Sequence, residues 1–139
     1  MSRSGYNDCD DGDGAEWGQV MWRGAVASAM RGKRGQAFLR EMVEALDAMP
    51  EKRLLAHVIK EECGVCAIGS VGVRRGLDMT KLDPEDPRPI AEAFGIAASL
   101  VQEIEWLNDE CGWIHETPEA RWQRMRIWVE SAIVEAKRP

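Results

Sequence analysis

The four cysteines and two histidines bound the chemistry this chain could carry out. Cys63-x-x-Cys66 and Cys111-x-x-x-His115 have the spacings of zinc ligands, and three thiolates with one imidazole make a tetrahedral set, His57 being a spare. Against zinc, there is one clean C-x-x-C pair, and Cys66 opens an apolar, small-residue run where a cysteine serves as a core residue. The expectation is no cofactor, with zinc on Cys63, Cys66, Cys111 and His115 as the alternative. A thioredoxin-like redox site needs alternating strands and helices around its cysteine pair, and that pattern is missing. Cys66 with His115 would be a nucleophile and base, but no motif marks an oriented base or an oxyanion site. No catalytic residue is assigned, and the chain reads as a non-enzyme.

Charged clusters suggest binding instead. Arg31-Gly32-Lys33-Arg34-Gly35 is the one concentrated basic patch. Ahead of a helix it could hold a phosphate or carboxylate through open N–H groups, with Arg31, Lys33 and Arg34 as clamps. It lacks the spacing of a nucleotide-binding P-loop, and a solvated inter-helix loop is the plainer account. Asp8, Asp10, Asp11 and Asp13 invite a calcium loop, but with Gly12 or Gly14 as the turn glycine the twelfth position is Gly18 or Val20, not glutamate. Residues 1–15 therefore read as a flexible acidic tail able to touch a basic partner, and 16–139 as one helical domain.

The elements that would position these groups follow from periodicity. Glu16–Met30 reads as a first helix, with Trp17, Met21, Ala25 and Ser28 along one edge and Trp22, Val26 and Ala29 beside them. Gln36–Met49 is the clearest helix: Phe38, Leu39, Met42, Val43, Leu46 and Met49 share a face, and Pro50 stops it. Leu54–Ile59 is a short helix or a strand; as a strand it would form a small hairpin turning around Glu61–Gly64. Cys66–Arg75 is a tightly packed helix closed by Gly76, or a glycine-rich strand. Asp78–Pro89 is a loop. Thr117-Pro118-Glu119 starts a final helix that runs to about Ala136, with Trp122, Met125, Val129, Ile133 and Trp128 inside and Arg121, Arg124 and Arg126 around the outside. The sum is an all-α bundle of five or six helices, with one small β-hairpin around residues 54–66 as an option.

Ile90–Glu110 resembles the helix-turn-helix of small transcription regulators: a short helix, Gly95, the apolar turn residue Ile96, then Leu100, Val101, Ile104 and Leu107 at helical spacing. The charge is wrong for DNA, because Ala97–Cys111 contains no Lys or Arg but carries Glu103, Glu105, Asp109 and Glu110. The net charge of −6 points the same way and suits docking on a basic protein surface. Six tryptophans suit an interface, a homodimer included. The polar, acidic amino terminus carries no secretory signal and no apolar run reaches membrane-spanning length, so a cytoplasmic protein is expected.

Three segments, WRGAVASAMRGKRGQAFLREMVEALDAMPEKRL (Trp22–Leu54), GVCAIGSVGVRRGLD (Gly64–Asp78) and IEWLNDE (Ile104–Glu110), resemble a family of small uncharacterised proteins encoded by tailed phages and prophages of proteobacteria. A small acidic phage protein without a catalytic motif implies a counter-defence inhibitor of the anti-CRISPR class, which binds a bacterial effector complex. Glu103, Glu105, Asp109 and Glu110, or Asp10, Asp11 and Asp13 of the tail, would then meet the target's lysines and arginines. The alternatives are a phage transcription regulator using the helix-turn-helix and a binding protein for a small anionic signal nucleotide.

Overall fold

Capping residues and glycines set most of the boundaries in the computed structural model, which describes residues 23–134. The expected tail with Asp10, Asp11 and Asp13, and Trp17, Met21 and Trp22 of the expected first helix, lie outside the described residues. Helix α1 covers residues 23–31, and α2 (Lys33–Ala48) follows after Gly32 alone. A hairpin of β1 (Lys60–Glu61) and β2 (Gly64–Val65) precedes α3 (Ala67–Arg75), α4 (Pro87–Phe94), α5 (Ala98–Asp109) and α6 (Pro118–Ala132). The architecture is all-α with one small antiparallel hairpin, Lys60 opposite Val65 and Glu61 opposite Gly64.

Local chemistry accounts for the helix ends. Asp86 caps α4 by accepting from Arg88 N–H, with Pro87 at the first helical position, and Gly95 closes it at φ 72°. Thr117 caps α6 by accepting from Ala120 N–H at 3.1 Å, with Pro118 next. The Lys52 ammonium lies over the end of α2, donating to the carbonyls of Asp47 and, at 2.6 Å, Met49, where a cation offsets the helix dipole.

The core sits where α2, α3, α5 and α6 meet, built on Leu39, Met42, Leu46, Ile68, Val71, Leu100, Ile104 and Met125. Gly69 lets α3 lie directly on the chain entering the hairpin, because a Cβ there would strike the Ile59 carbonyl. Arg75 joins three helices: it forks onto Glu41 of α2 at 2.7 and 2.5 Å, donates to Phe94 O of α4 at 3.1 Å, and lies against the Phe38 and Phe94 rings.

Several expectations are corrected. Residues 31–35 are not a loop: the Gly32 N–H donates to Ser28 O at 3.0 Å, so α1 runs almost into α2. Within α1, Ala25 and Ser28 are exposed, and the inner edge is Val26, Ala29 and Met30. Residues 54–59 are neither helix nor strand; Leu55 N–H donates to Val65 O at 2.8 Å and so braces the hairpin from outside the ladder. Helix α6 stops at Ala132, with Ile133 extended. Arg121 and Arg124 do not lie around its outside but turn inward onto Glu116.

Candidate partner-binding site

Asn108 shows how the end of α5 is held. Its side-chain oxygen accepts the first N–H of α3, from Ala67, at 3.1 Å, and its amide donates to Leu55 O at 2.8 Å and Asp109 Oδ1 at 2.9 Å. Asp109 Oδ1 also accepts His57 N–H at 3.0 Å, fixing His57 in the left-handed region at φ 67°. The exposed His57 imidazole lies with Nδ1 3.7 Å from Asp109 Oδ2.

Beyond Asp109 the chain turns through residues 110–117 and enters α6. The base of this loop is clamped. Arg124 donates to Glu116 Oε2 at 2.6 Å and Oε1 at 2.9 Å, and reaches Leu107 O at 2.5 Å and Asn108 O at 3.3 Å. Arg121 adds a second guanidinium 3.3 Å from Glu116 and donates to Leu54 O at 3.0 Å. The Glu116 side chain is only 6% exposed, and Arg124, hydrogen-bonded to it, holds its carboxyl below the ordinary pKa of 4.5, with Arg121 adding to the effect. Gly112 lies directly on that carboxylate, which occupies the place of any Cβ. The Glu116 N–H closes the turn onto Trp113 O at 2.9 Å.

The tip of this clamped loop points its apolar residues outward. Trp113 is 74% and Ile114 87% exposed, with His115 edge-on to the Trp113 ring at 5.6 Å. Glu110 and Glu119 are exposed on either side. Residues 110–120 contain no Lys or Arg, and the next two arginines, Arg121 and Arg124, are engaged by Glu116. The result is an aromatic and aliphatic anchor in an acidic rim on a preorganised support.

The residues singled out in the sequence are dispersed. Glu105, 1% exposed, lies inside, and the Asp109 carboxylate, 2% exposed, faces Asn108 and the His57 backbone; neither can meet a partner's surface. Glu103 and Glu110 remain within reach of solvent. The zinc quartet does not converge, and no group of three or more potential ligands does so among the described residues. Cys66 is a buried cap of α3, its sulfur accepting Gly69 N–H at 3.4 Å, while Cys63 is exposed in the hairpin turn and His115 stands beside Trp113. Desolvation pushes the Cys111 thiol pKa up, with Glu103 and Glu110 adding to the rise against Arg124, which disfavours the thiolate a metal or a nucleophile requires. Arg31, Lys33 and Arg34 do not frame an open helix terminus, because the Ala29 carbonyl abuts Gly35.

The helix-turn-helix outline is present as α4, Gly95 and α5, yet every residue of α5 is buried or half-buried, leaving no open face to lay in a major groove. Among the described residues no helix is long and apolar enough to cross a membrane. Comparison with protein-family models, curated proteins and solved structures finds no match for the chain.

Proposed function

We propose that this chain is a non-enzymatic protein-binding inhibitor whose working element is the loop of residues 110–117. One observation carries this: Trp113 and Ile114 stand in solvent on a loop locked from beneath by Glu116, Arg121 and Arg124. Burying a tryptophan and an isoleucine is the kind of contact that dominates interface energies, and a rigid support avoids the ordering cost of a mobile loop. The acidic rim fits a target whose apolar pocket is ringed by lysine and arginine, as a nucleic-acid-binding surface is. The finer reading, inhibition of a bacterial defence effector by a phage-encoded protein, rests on the family resemblance and the net charge of −6. The covered α5 weighs against the transcription-regulator alternative.

The test is affinity purification of tagged protein from a bacterial host carrying an active defence complex. Effector subunits are expected to co-purify with the wild type and to be lost with Trp113→Ala/Ile114→Ala while the fold, followed by circular dichroism, is unchanged. Equal recovery with the double variant rejects the loop as the docking element. Tight duplex DNA binding by the purified protein rejects the class.

A further inference from the structure

The opposite end of α6 carries the complement of this loop. An open cavity of about 290 Å³ is lined by Val26, Met30, Ala132 and Val134, with Arg23 and Arg31 at its edge. Glu103 is the one acid in the lining among the described residues. Its floor is held by Gln36, whose amide donates to Met30 O at 2.6 Å and Ala132 O at 3.2 Å while its oxygen accepts Val134 N–H at 2.8 Å. Both arginines are exposed and have no ion-pair partner among the described residues, and Lys33 and Arg34 extend the basic edge. The volume lies at or below the small end of ligand clefts, about 300–1,000 Å³, and suits one or two large side chains better than a cofactor.

We infer that the Trp113–Ile114 tip of one copy docks in this cavity on a second copy, giving head-to-tail association. Three features support the match. The cavity wall is apolar and the tip is apolar. The cavity edge carries two exposed arginines with no ion-pair partner among the described residues, and the tip is flanked by the carboxylates of Glu110 and Glu119, so the charges are complementary. The tip precedes α6 and the cavity's Ala132 and Val134 lie at the far end of that 15-residue helix, a span of about 22 Å at 1.5 Å per residue, so the tip cannot fold back onto that end of its own chain. Such a contact is heterologous: each copy keeps one unused tip and one unused cavity, and association continues until a ring closes. The inference rests on the proposed docking role of the loop and adds that the cavity imitates the target's basic-rimmed pocket, so self-association and target binding compete for one tip.

Sedimentation equilibrium on the purified full chain tests it. The wild-type mass is expected to rise with concentration above the 15.6 kDa of one chain, and the rise to weaken with added salt. Trp113→Ala/Ile114→Ala (tip lost) and Arg23→Glu/Arg31→Glu (cavity edge reversed) should each stay at 15.6 kDa alone. Mixed in equal amounts, they should form a one-to-one pair, because the second supplies an intact tip and the first an intact cavity. A monomeric wild type at every concentration overturns the inference while leaving the co-purification result standing. Association that survives either double substitution, or two silent variants that do not pair when mixed, overturns it as well. Loss of target co-purification in the tip variant together with unchanged self-association would separate the two roles in the opposite sense.

Discussion

At the scale of single residues, buried polar groups hold this protein to one arrangement. Asn108 uses three of its four amide hydrogen-bonding sites, two of them on backbone groups from segments more than forty residues away in sequence. Replacing it with alanine strands Ala67 N–H and Leu55 C=O, each at a cost of about 1–3 kcal/mol when left unpaired. Asn108→Ala should therefore lose roughly 2–4 kcal/mol in urea unfolding. Asn108→Asp should fare no better, since a second carboxylate would face Asp109 Oδ1 and the Leu55 carbonyl. A loss under about 0.5 kcal/mol for the alanine variant would mean that water replaces the amide freely. Arg75 makes a related case. Arg75→Lys keeps the charge but loses the fork onto Glu41 and the guanidinium's place over the Phe38 and Phe94 rings. Its thermal midpoint should fall nearly as far as that of Arg75→Ala; a midpoint matching the wild type would reduce the guanidinium contacts to a simple charge effect.

Between elements, the close approaches depend on glycines with different neighbours. Gly69 of α3 faces the Ile59 carbonyl and the Val65 side chain, whereas Gly72 faces the flexible thioether of Met79 and the Phe94 ring. A backbone carbonyl gives way less readily than a methionine. Gly69→Ala should cost about 1–3 kcal/mol and release the hairpin, and Gly72→Ala should cost less. Hydrogen exchange at the Cys66 amide, bonded to Ile59 O, reports the hairpin directly. The reverse order of urea midpoints would show the hairpin moving as a rigid unit. The same elements show which parts of the fold were legible in the sequence. Gly76, Gly95 and Thr117-Pro118-Glu119 act through residues a few positions away, so their signals survive in a linear reading. The approach of Ala29 to Gly35 does not, and residues 31–35 look like a basic loop until α1 is seen lying against α2. A one-faced stripe through Leu100, Ile104 and Leu107 also leaves Glu105 looking like surface, although α5 is covered on more than one side. The outward-facing Trp113 and Ile114 left no periodic signal, because a loop has none; an apolar pair between Gly112 and a capped helix start was the only clue.

For the molecule as a whole, three carboxylates among the described residues tie elements together through arginine ion pairs and make stability depend on acid. Glu41 on α2 meets Arg75 on α3, Asp47 on α2 meets Arg126 on α6, and Glu116 in the loop meets Arg124 and Arg121 on α6. The arginine hydrogen bonds lower all three carboxyl pKa values in the folded chain. A lowered folded pKa means that the unfolded chain takes up protons first as the pH falls. The stabilisation is therefore complete above the ordinary carboxyl values of 4.5 and 3.8 and is lost as the pH drops through the folded values. Two of the pairs have solvated carboxylates, so salt should weaken them, whereas the Glu116 carboxylate is enclosed and bound by two guanidiniums and should resist salt better. Urea midpoints measured from neutral pH down to about pH 3 should thus fall steeply below about pH 4.5, with the steep part persisting in high salt. Glu116→Gln should be less stable than wild type at neutral pH, because two partly buried guanidiniums lose their counter-charge, and should have a flatter acid limb, because the titrating group is gone. An unchanged acid limb in that variant would place the sensitivity on Glu41 and Asp47.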